Sequence, residues 1–353
     1  MSVSATADRG WPSAPSGFGP VRLDRNENPY GPGPAARAAL AGAALEPHRY
    51  PDPAYQDLTD GIARAHGVTA DRVAVGNGAD ELILLLALAH RTDSRPAVIS
   101  GQTFQSYALS LGAAGVGFRE LPLREHAVDV QAFTAAFAAG AGLAFVCNPH
   151  NPTGSLFGPD DVAALCAAAR DGGALLVLDE AYAEYAGARF ASALPWAAVD
   201  ARVCVMRTFS KVHGLAGLRI AYLVGDPAVV RAVRRVQRAI PFHVNALACA
   251  AALAALGDRE HVARTVAATE SAKRSLLAGF ERLGIACLPS AANFVLIHLP
   301  GRAAAVAALL ADAGFPVRDV SGLGLPDRLR VTVAGRPDVD AFVHVLEGIL
   351  ADV

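Results

Sequence analysis

A chain of 353 residues with 53% hydrophobic residues and 18% charged ones excludes a disordered chain, and its length fits one large domain with a smaller companion. Its 31 Lys and Arg against 33 Asp and Glu leave a net charge of −2 and no basic run, so nucleic acid is excluded as a partner held by phosphate neutralisation. Five widely spaced cysteines without a CxxC pair and ten histidines without HxH or HxxxH spacing point to reduced thiols, a cytoplasmic protein and no metal site.

Residues 1–30 read as an N-terminal arm, because the first twenty are rich in Ser, Ala, Gly and Pro and show neither a basic start nor an apolar leader stretch. The apolar run "LILLLALA" (82–89) is too short to span a bilayer, so no membrane partner is expected. From 53 to 225, short β-rich runs alternate with helical patterns: "RVAVGNG" (72–78), "AVIS" (97–100), "LAFVCNP" (143–149), "ALLVLDE" (174–180), "RVCVMRT" (202–208) and "LRIAYLVG" (218–225). Runs this apolar are buried on both faces, which predicts an α/β fold with a mostly parallel sheet, in a large domain over 31–240. A long helical stretch (227–283) follows. Then "NFVLIHL" (293–299), "FPVRDV" (315–320), "RLRVTV" (328–333) and a last helix (337–352) predict a smaller C-terminal α/β domain over 241–353.

Ligands of such sheets sit outside the carboxyl ends of the strands. The segments leaving those ends are Gly76 to Asp80, Asn148 to Gly154, Asp179 to Tyr182 and Thr208 to Lys211. Lys211 is one of only two lysines; where charge alone is needed the chain uses arginine. An amine, unlike a guanidinium, forms imines and shuttles protons near neutrality. The other lysine, Lys273, lies in a polar helical stretch and reads as a surface or salt-bridging residue. Asp179 closes a strand so apolar that its carboxylate requires a cationic partner or a metal, although a helix cap is its everyday alternative. The helix opening at "GNGADEL" offers bare amides to an anion, which Ser210 and Arg219 complete. A Schiff-base lysine, an aspartate for a ring nitrogen and a phosphate cup together describe a pyridoxal 5'-phosphate site.

These residues stand in a longer series of motifs: "RLDRNENPYGP" (22–32), "RYPD" (49–52), "GNGADE", "NPTG", "DEAY", "TFSK" with "GLAGLR", "ANF" (292–294) and "LRVT" (329–332). In this order they resemble the fold-type I aminotransferases, and most closely the histidinol-phosphate aminotransferase family, over nearly the whole chain. The resemblance implies that Lys211 carries the Schiff base and moves the proton, that Asp179 pairs with the ring nitrogen, and that Asn151 and Tyr182 meet the phenolic oxygen. Tyr107 would stack on the ring, while the backbone groups of Ala79 and Asp80, with Ser210 and Arg219, would hold the phosphate. Tyr50 would reach the neighbouring subunit's phosphate, so the resemblance implies a homodimer with shared sites. Arg330 and Arg318 would grip the anionic end of the substrate, with Asn28 in the entrance segment. Independently, alternation along "RLRVTV" puts Arg328 and Arg330 on one face.

Two positions depart from the family, which commonly has Asn in place of His150 and Phe or Tyr in place of His213; both read more simply as neutral replacements than as proton carriers. "GWPSAPSGFGP" also replaces the usual substrate-covering front segment. Ping-pong transamination between an amino donor (histidinol phosphate or an amino acid) and 2-oxoglutarate is therefore expected. The alternatives are an aromatic or other amino acid aminotransferase, or a decarboxylase of the threonine-phosphate type. A cofactor-sensing regulator lacks its DNA-binding helices, and a nicotinamide dehydrogenase lacks the third glycine of GxGxxG.

Overall fold

The computed structural model describes residues 20–43, 46–91 and 94–352. Seven strands, β1 (Val73–Gly76), β2 (Ala97–Ser100), β3 (Phe118–Leu121), β4 (Leu143–Cys147), β5 (Leu175–Asp179), β6 (Val203–Thr208) and β7 (Ala221–Val224), form one sheet in the order β1-β7-β6-β5-β4-β2-β3. β7 is antiparallel to β1 and β6, and every other pairing is parallel. The expected mostly parallel sheet is thus present. β1, β2, β4, β5 and β7 are buried at every residue, as strands covered by helices on both faces must be. β3 is the strand without an apolar run in the sequence: "FREL" lies half-exposed at the sheet edge, where polar side chains cost nothing.

Four short strands, β8 (Ala286–Cys287), β9 (Phe294–His298), β10 (Arg318–Asp319) and β11 (Arg328–Thr332), make a second, antiparallel sheet in the order β10-β11-β9-β8. Its core gathers Phe280, Ile297, Phe315, Leu329 and Phe342. The helical stretch after β7 divides into Pro227–Gln237, Ala246–Gly257 and Arg259–Arg282. Although it lies beyond residue 240, the helix Ala246–Gly257 packs into the core of the large sheet, burying Ala248, Ala251, Ala252 and Ala255 there. Its small side chains permit close approach of the helix Pro34–Ala43.

The expected arm has two fates. Residues 1–19, with most of "GWPSAPSGFGP", lie outside the described residues. Residues 21–28 form a strap between the sheets. Val21 and Leu23 donate their amides to Gly314 and Pro316, Thr332 donates to the Leu23 carbonyl, and Leu23 is buried in the smaller core, worth about 2 kcal/mol. The strap ends on the large sheet, where the Asn28 amide donates to the Val212 carbonyl at 2.8 Å.

Candidate active site

The carboxyl ends of β1, β2, β4, β5 and β6 open on a cavity of about 670 Å³, roofed by the strap and by β10 and β11. Its lining includes Asp179, Tyr182, Asn151, Ser210, Lys211 and Arg219, which the sequence scatters over 69 positions and the parallel topology brings to one edge. Ala79, Asp80, Arg318 and Arg330 complete the sequence-expected lining.

Asp179 ends β5, only 3% exposed. Its Oδ1 accepts from the Ala181 amide at 3.1 Å and its Oδ2 from the Tyr107 hydroxyl at 2.6 Å. Burial pushes the carboxyl up to about 6, against the pull of these two donors and of Lys211. Across the cavity the Lys211 ammonium points at the carbonyls of Arg25 and Asn26, both at 3.3 Å, and stands 5.6 Å from the centre of the Tyr182 ring. Burial, with Arg330 and Arg219 nearby, brings its pKa down to about 8. A lysine so placed is an amine for part of the time at neutral pH, as a nucleophile or proton carrier requires.

At the β1 end, the helix Ala79–Ala89 starts at Gly78 with no side-chain cap. Gly78 has φ +84, and a Cβ there would lie 2.4 Å from the Arg219 guanidinium. Glycine is required for that close approach. Arg219 is ion-paired with Asp80 at 2.9 Å, and the Ser106 hydroxyl donates to the same carboxylate at 2.5 Å. Bare helix amides, Ser210 and a guanidinium form a cradle for a phosphate in the cavity that Asp179 also lines.

On the opposite wall, β10 and β11 put Arg318 directly across from Arg330. Arg330 donates to Asn151 Oδ1 at 2.6 Å and to the Asp24 carbonyl at 2.7 Å, and lies 5.5 Å from the centre of the Phe294 ring. Its Nε is buried without a hydrogen-bond partner among the described residues, and no carboxylate there lies within ion-pair distance. Arg318 rests on Gln105 at 3.2 Å. Arg328 shares a face with Arg330 but turns away from the cavity to His126 at 3.1 Å.

Several sequence-expected residues stand elsewhere. Tyr107 does not stack in the cavity: it sits one turn too far along, inside the helix Ser106–Ala113, fully buried against Phe145 and below Asp179. The aromatic in the cavity is Phe104. Asn28 is held by Val212 and the Tyr30 amide, outside the lining; Asn26 lines it instead, donating to the Tyr182 hydroxyl at 3.0 Å. Tyr50 is 81% exposed, stacked on Phe242 and away from this chain's cavity. The segment after β2 supplies Thr103, Phe104, Gln105 and Ser106, and the rule of strand ends finds it once "AVIS" is recognised as a parallel strand. His150 is buried and bonded to Thr153 at 2.9 Å, with burial driving its pKa down to about 3; His213 packs on Phe209 and falls to about 4. Neither lines the cavity. Lys273 does bridge, to Glu270 at 2.9 Å, yet it is almost fully buried and also caps the Ser290 and Ala292 carbonyls.

A parallel sheet whose edge joins a desolvated lysine, a buried aspartate and a helix-end cradle defines a pyridoxal-phosphate enzyme of fold type I. Residues 19–345 match the family described as aminotransferase class I and II. A histidinol-phosphate aminotransferase of Symbiobacterium thermophilum is 39% identical over 94% of this chain and 91% of its own length. An aromatic amino acid aminotransferase of Thermobifida fusca is 37% identical, over 92% and 89%. The crystal structure of histidinol-phosphate aminotransferase from Sinorhizobium meliloti in complex with pyridoxal-5'-phosphate superposes with a TM-score of 0.86 at 29% identity, covering 95% of this chain and 91% of that one. The chain belongs to the class I and II aminotransferases, as a histidinol-phosphate aminotransferase-like, pyridoxal-phosphate-dependent enzyme. The decarboxylase, regulator and dehydrogenase alternatives gain no support from these relatives.

Proposed function

We propose that the enzyme transfers the amino group of histidinol phosphate to an oxo acid, 2-oxoglutarate, by ping-pong turnover in the cytoplasm. The observation that carries the donor's identity is the pair Arg318 and Arg330: two guanidiniums in register, of which the half-buried Arg330 has a buried, unpaired Nε and no carboxylate partner among the described residues. A phosphate dianion balances both charges, whereas a carboxylate balances one.

Pyridoxal phosphate, when bound, supplies an electron-accepting ring that stabilises the charge left as the substrate's α-proton departs. In this reading Lys211 anchors it covalently. Ala79, Asp80, Ser210 and Arg219 hold its phosphate, Asp179 its ring nitrogen, Asn151 and Tyr182 its phenolic oxygen, and Phe104 covers one face. Arg219 exchanges its ion pair with Asp80 for the phosphate, a swap that exposure of both side chains makes inexpensive. Arg330 and Arg318 orient the donor so that its α-hydrogen meets Lys211 Nζ. Once the donor's own amine displaces Lys211 from its covalent link to the cofactor, the freed Lys211 amine takes the proton, carries it and returns it, a task matched to a pKa of about 8. Tyr50 completes the phosphate site of a second copy of this chain, which makes the working unit a homodimer.

With 2-oxoglutarate as acceptor, kcat/KM is expected to be highest for histidinol phosphate among histidinol phosphate, tyrosine and phenylalanine. A higher value for an aromatic amino acid reassigns the donor, an outcome that the Thermobifida fusca relative and the apolar Phe104, Leu109 and Leu323 in the cavity wall give a definite form. Turnover of none of the three overturns the proposal.

A further inference from the structure

Among the described residues, Tyr107 is the side chain that donates a hydrogen bond to Asp179, and it does not line the cavity. It is fully buried, with its ring nearly parallel to Phe145 at 5.3 Å and edge-on to Phe104 at 5.6 Å, so its hydroxyl is fixed at 2.6 Å from Asp179 Oδ2. The only other hydrogen bond recorded for that carboxylate among the described residues is the Ala181 amide, on Oδ1. A carboxylate offers about four acceptor sites, so two donors leave room for a third from the cavity side.

We infer that Tyr107 is a positioning residue, which keeps the Asp179 carboxylate ionised and aimed at the ring nitrogen of pyridoxal phosphate; this rests on the reading of Asp179 as the partner of that nitrogen. A donor bonded to the charged form of an acid favours that form, and a buried carboxylate needs such help. The phenol cannot exchange roles, since burial and the neighbouring Asp179 raise its own pKa far above the working range. It donates at every relevant pH. The charged or titratable groups that act on Asp179 include Cys147 on β4, Lys211 and Asp80, with Tyr182 three residues beyond β5; of the two nearby charges, Lys211 favours the ionised carboxylate and Asp80 opposes it. None of them forms a hydrogen bond to Asp179.

The test uses apoprotein and equilibrium dialysis with two ligands, pyridoxal phosphate and its 1-deaza analogue, in which a C–H replaces the ring nitrogen. Tyr107→Phe keeps the packed ring and removes the donor. It is expected to weaken pyridoxal phosphate about tenfold, to leave the deaza analogue unchanged, and to move the acid limb of pyridoxal phosphate binding to higher pH. Equal weakening of both ligands identifies a packing lesion and overturns the inference, as does no weakening at all. Asp179→Asn separates the two levels of the argument. If it treats both ligands alike, the reading of Asp179 is wrong; if it discriminates while Tyr107→Phe does not, only the inference about Tyr107 fails. Should Tyr107→Phe not fold, 3,5-difluorotyrosine placed at position 107 retains the ring and strengthens the donor. The acid limb then moves to lower pH, and no movement or the opposite one overturns the inference.

Discussion

Lys211 and Asp179 are shifted in opposite senses by one cause, removal from water, and each shift has a measurable consequence. The Lys211 amine is the reactive form, so the rate at which apoprotein captures pyridoxal phosphate is expected to rise with pH through about 8 in stopped-flow absorbance; a flat profile excludes a depressed lysine. For Asp179 the folded pKa, about 6, lies above the ordinary carboxylate value of 3.8, so the folded apoprotein holds a proton that the unfolded chain has lost. Stability from this group is therefore full below the unfolded value and is lost as pH rises through about 6. Asp179→Asn lacks this dependence: chemical denaturation is expected to show the variant gaining up to about 3 kcal/mol relative to wild type between about pH 4 and pH 7. Arg330 differs from both in keeping its charge throughout. Arg330→Ala is expected to lower kcat/KM for histidinol phosphate about a hundredfold, against about tenfold for exposed Arg318→Ala, because the desolvated guanidinium gains more from an anion. Equal losses in steady-state kinetics contradict that order.

At the scale of elements, the strand ends were legible because each carries a distinctive residue within a few positions of a largely apolar run: Asp179 directly after "LLVL", Lys211 three residues beyond "RVCVMRT", and Asn151 within "NPHNPTG". The end of β2 carries no such residue, which is why Phe104 was missed and Tyr107 taken for it. Spacing alone does not tell which of two aromatics three residues apart stays in the cavity; the start of the helix at Ser106 decides it by turning Tyr107 under the sheet. Lys273 shows the same gap. Its place in a polar helix suggested a surface or salt-bridging lysine; the bridge to Glu270 is present, but the ammonium is buried and ties that helix to the Ser290 and Ala292 carbonyls just ahead of β9. Next along, Asn293 donates to the Asn26 carbonyl that also receives Lys211, so this seam positions the strap. Lys273→Met removes the donor to the buried Ala292 carbonyl and the part-buried Ser290 carbonyl and is expected to destabilise the protein by roughly 2 kcal/mol in thermal unfolding, while a loss near zero assigns the seam to backbone contacts alone.

For the whole molecule, the exposed Tyr50 on Phe242 makes an experimental demand. If one copy's Tyr50 serves another's cradle, two individually impaired variants, Tyr50→Ala and Lys211→Ala, regain activity when unfolded together and refolded as hybrids, since one site then holds both native residues. Absence of recovery, with hybrids verified by mass, rules out a shared site. The sequence by itself determined the parallel sheet, the position of its ligand edge, and the pairing of an amine with a carboxylate, because burial on both faces and imine chemistry each admit few residue types. Only the tertiary structure decided that Asn26 and not Asn28 faces the cavity, that Tyr107 supports Asp179 from below, and that Arg318 stands opposite Arg330. Those outcomes depend on strap path, helix phase and strand register, which are fixed by contacts between segments up to about 300 positions apart, such as the Asn26 amide on Thr332, and no local pattern in the chain encodes them.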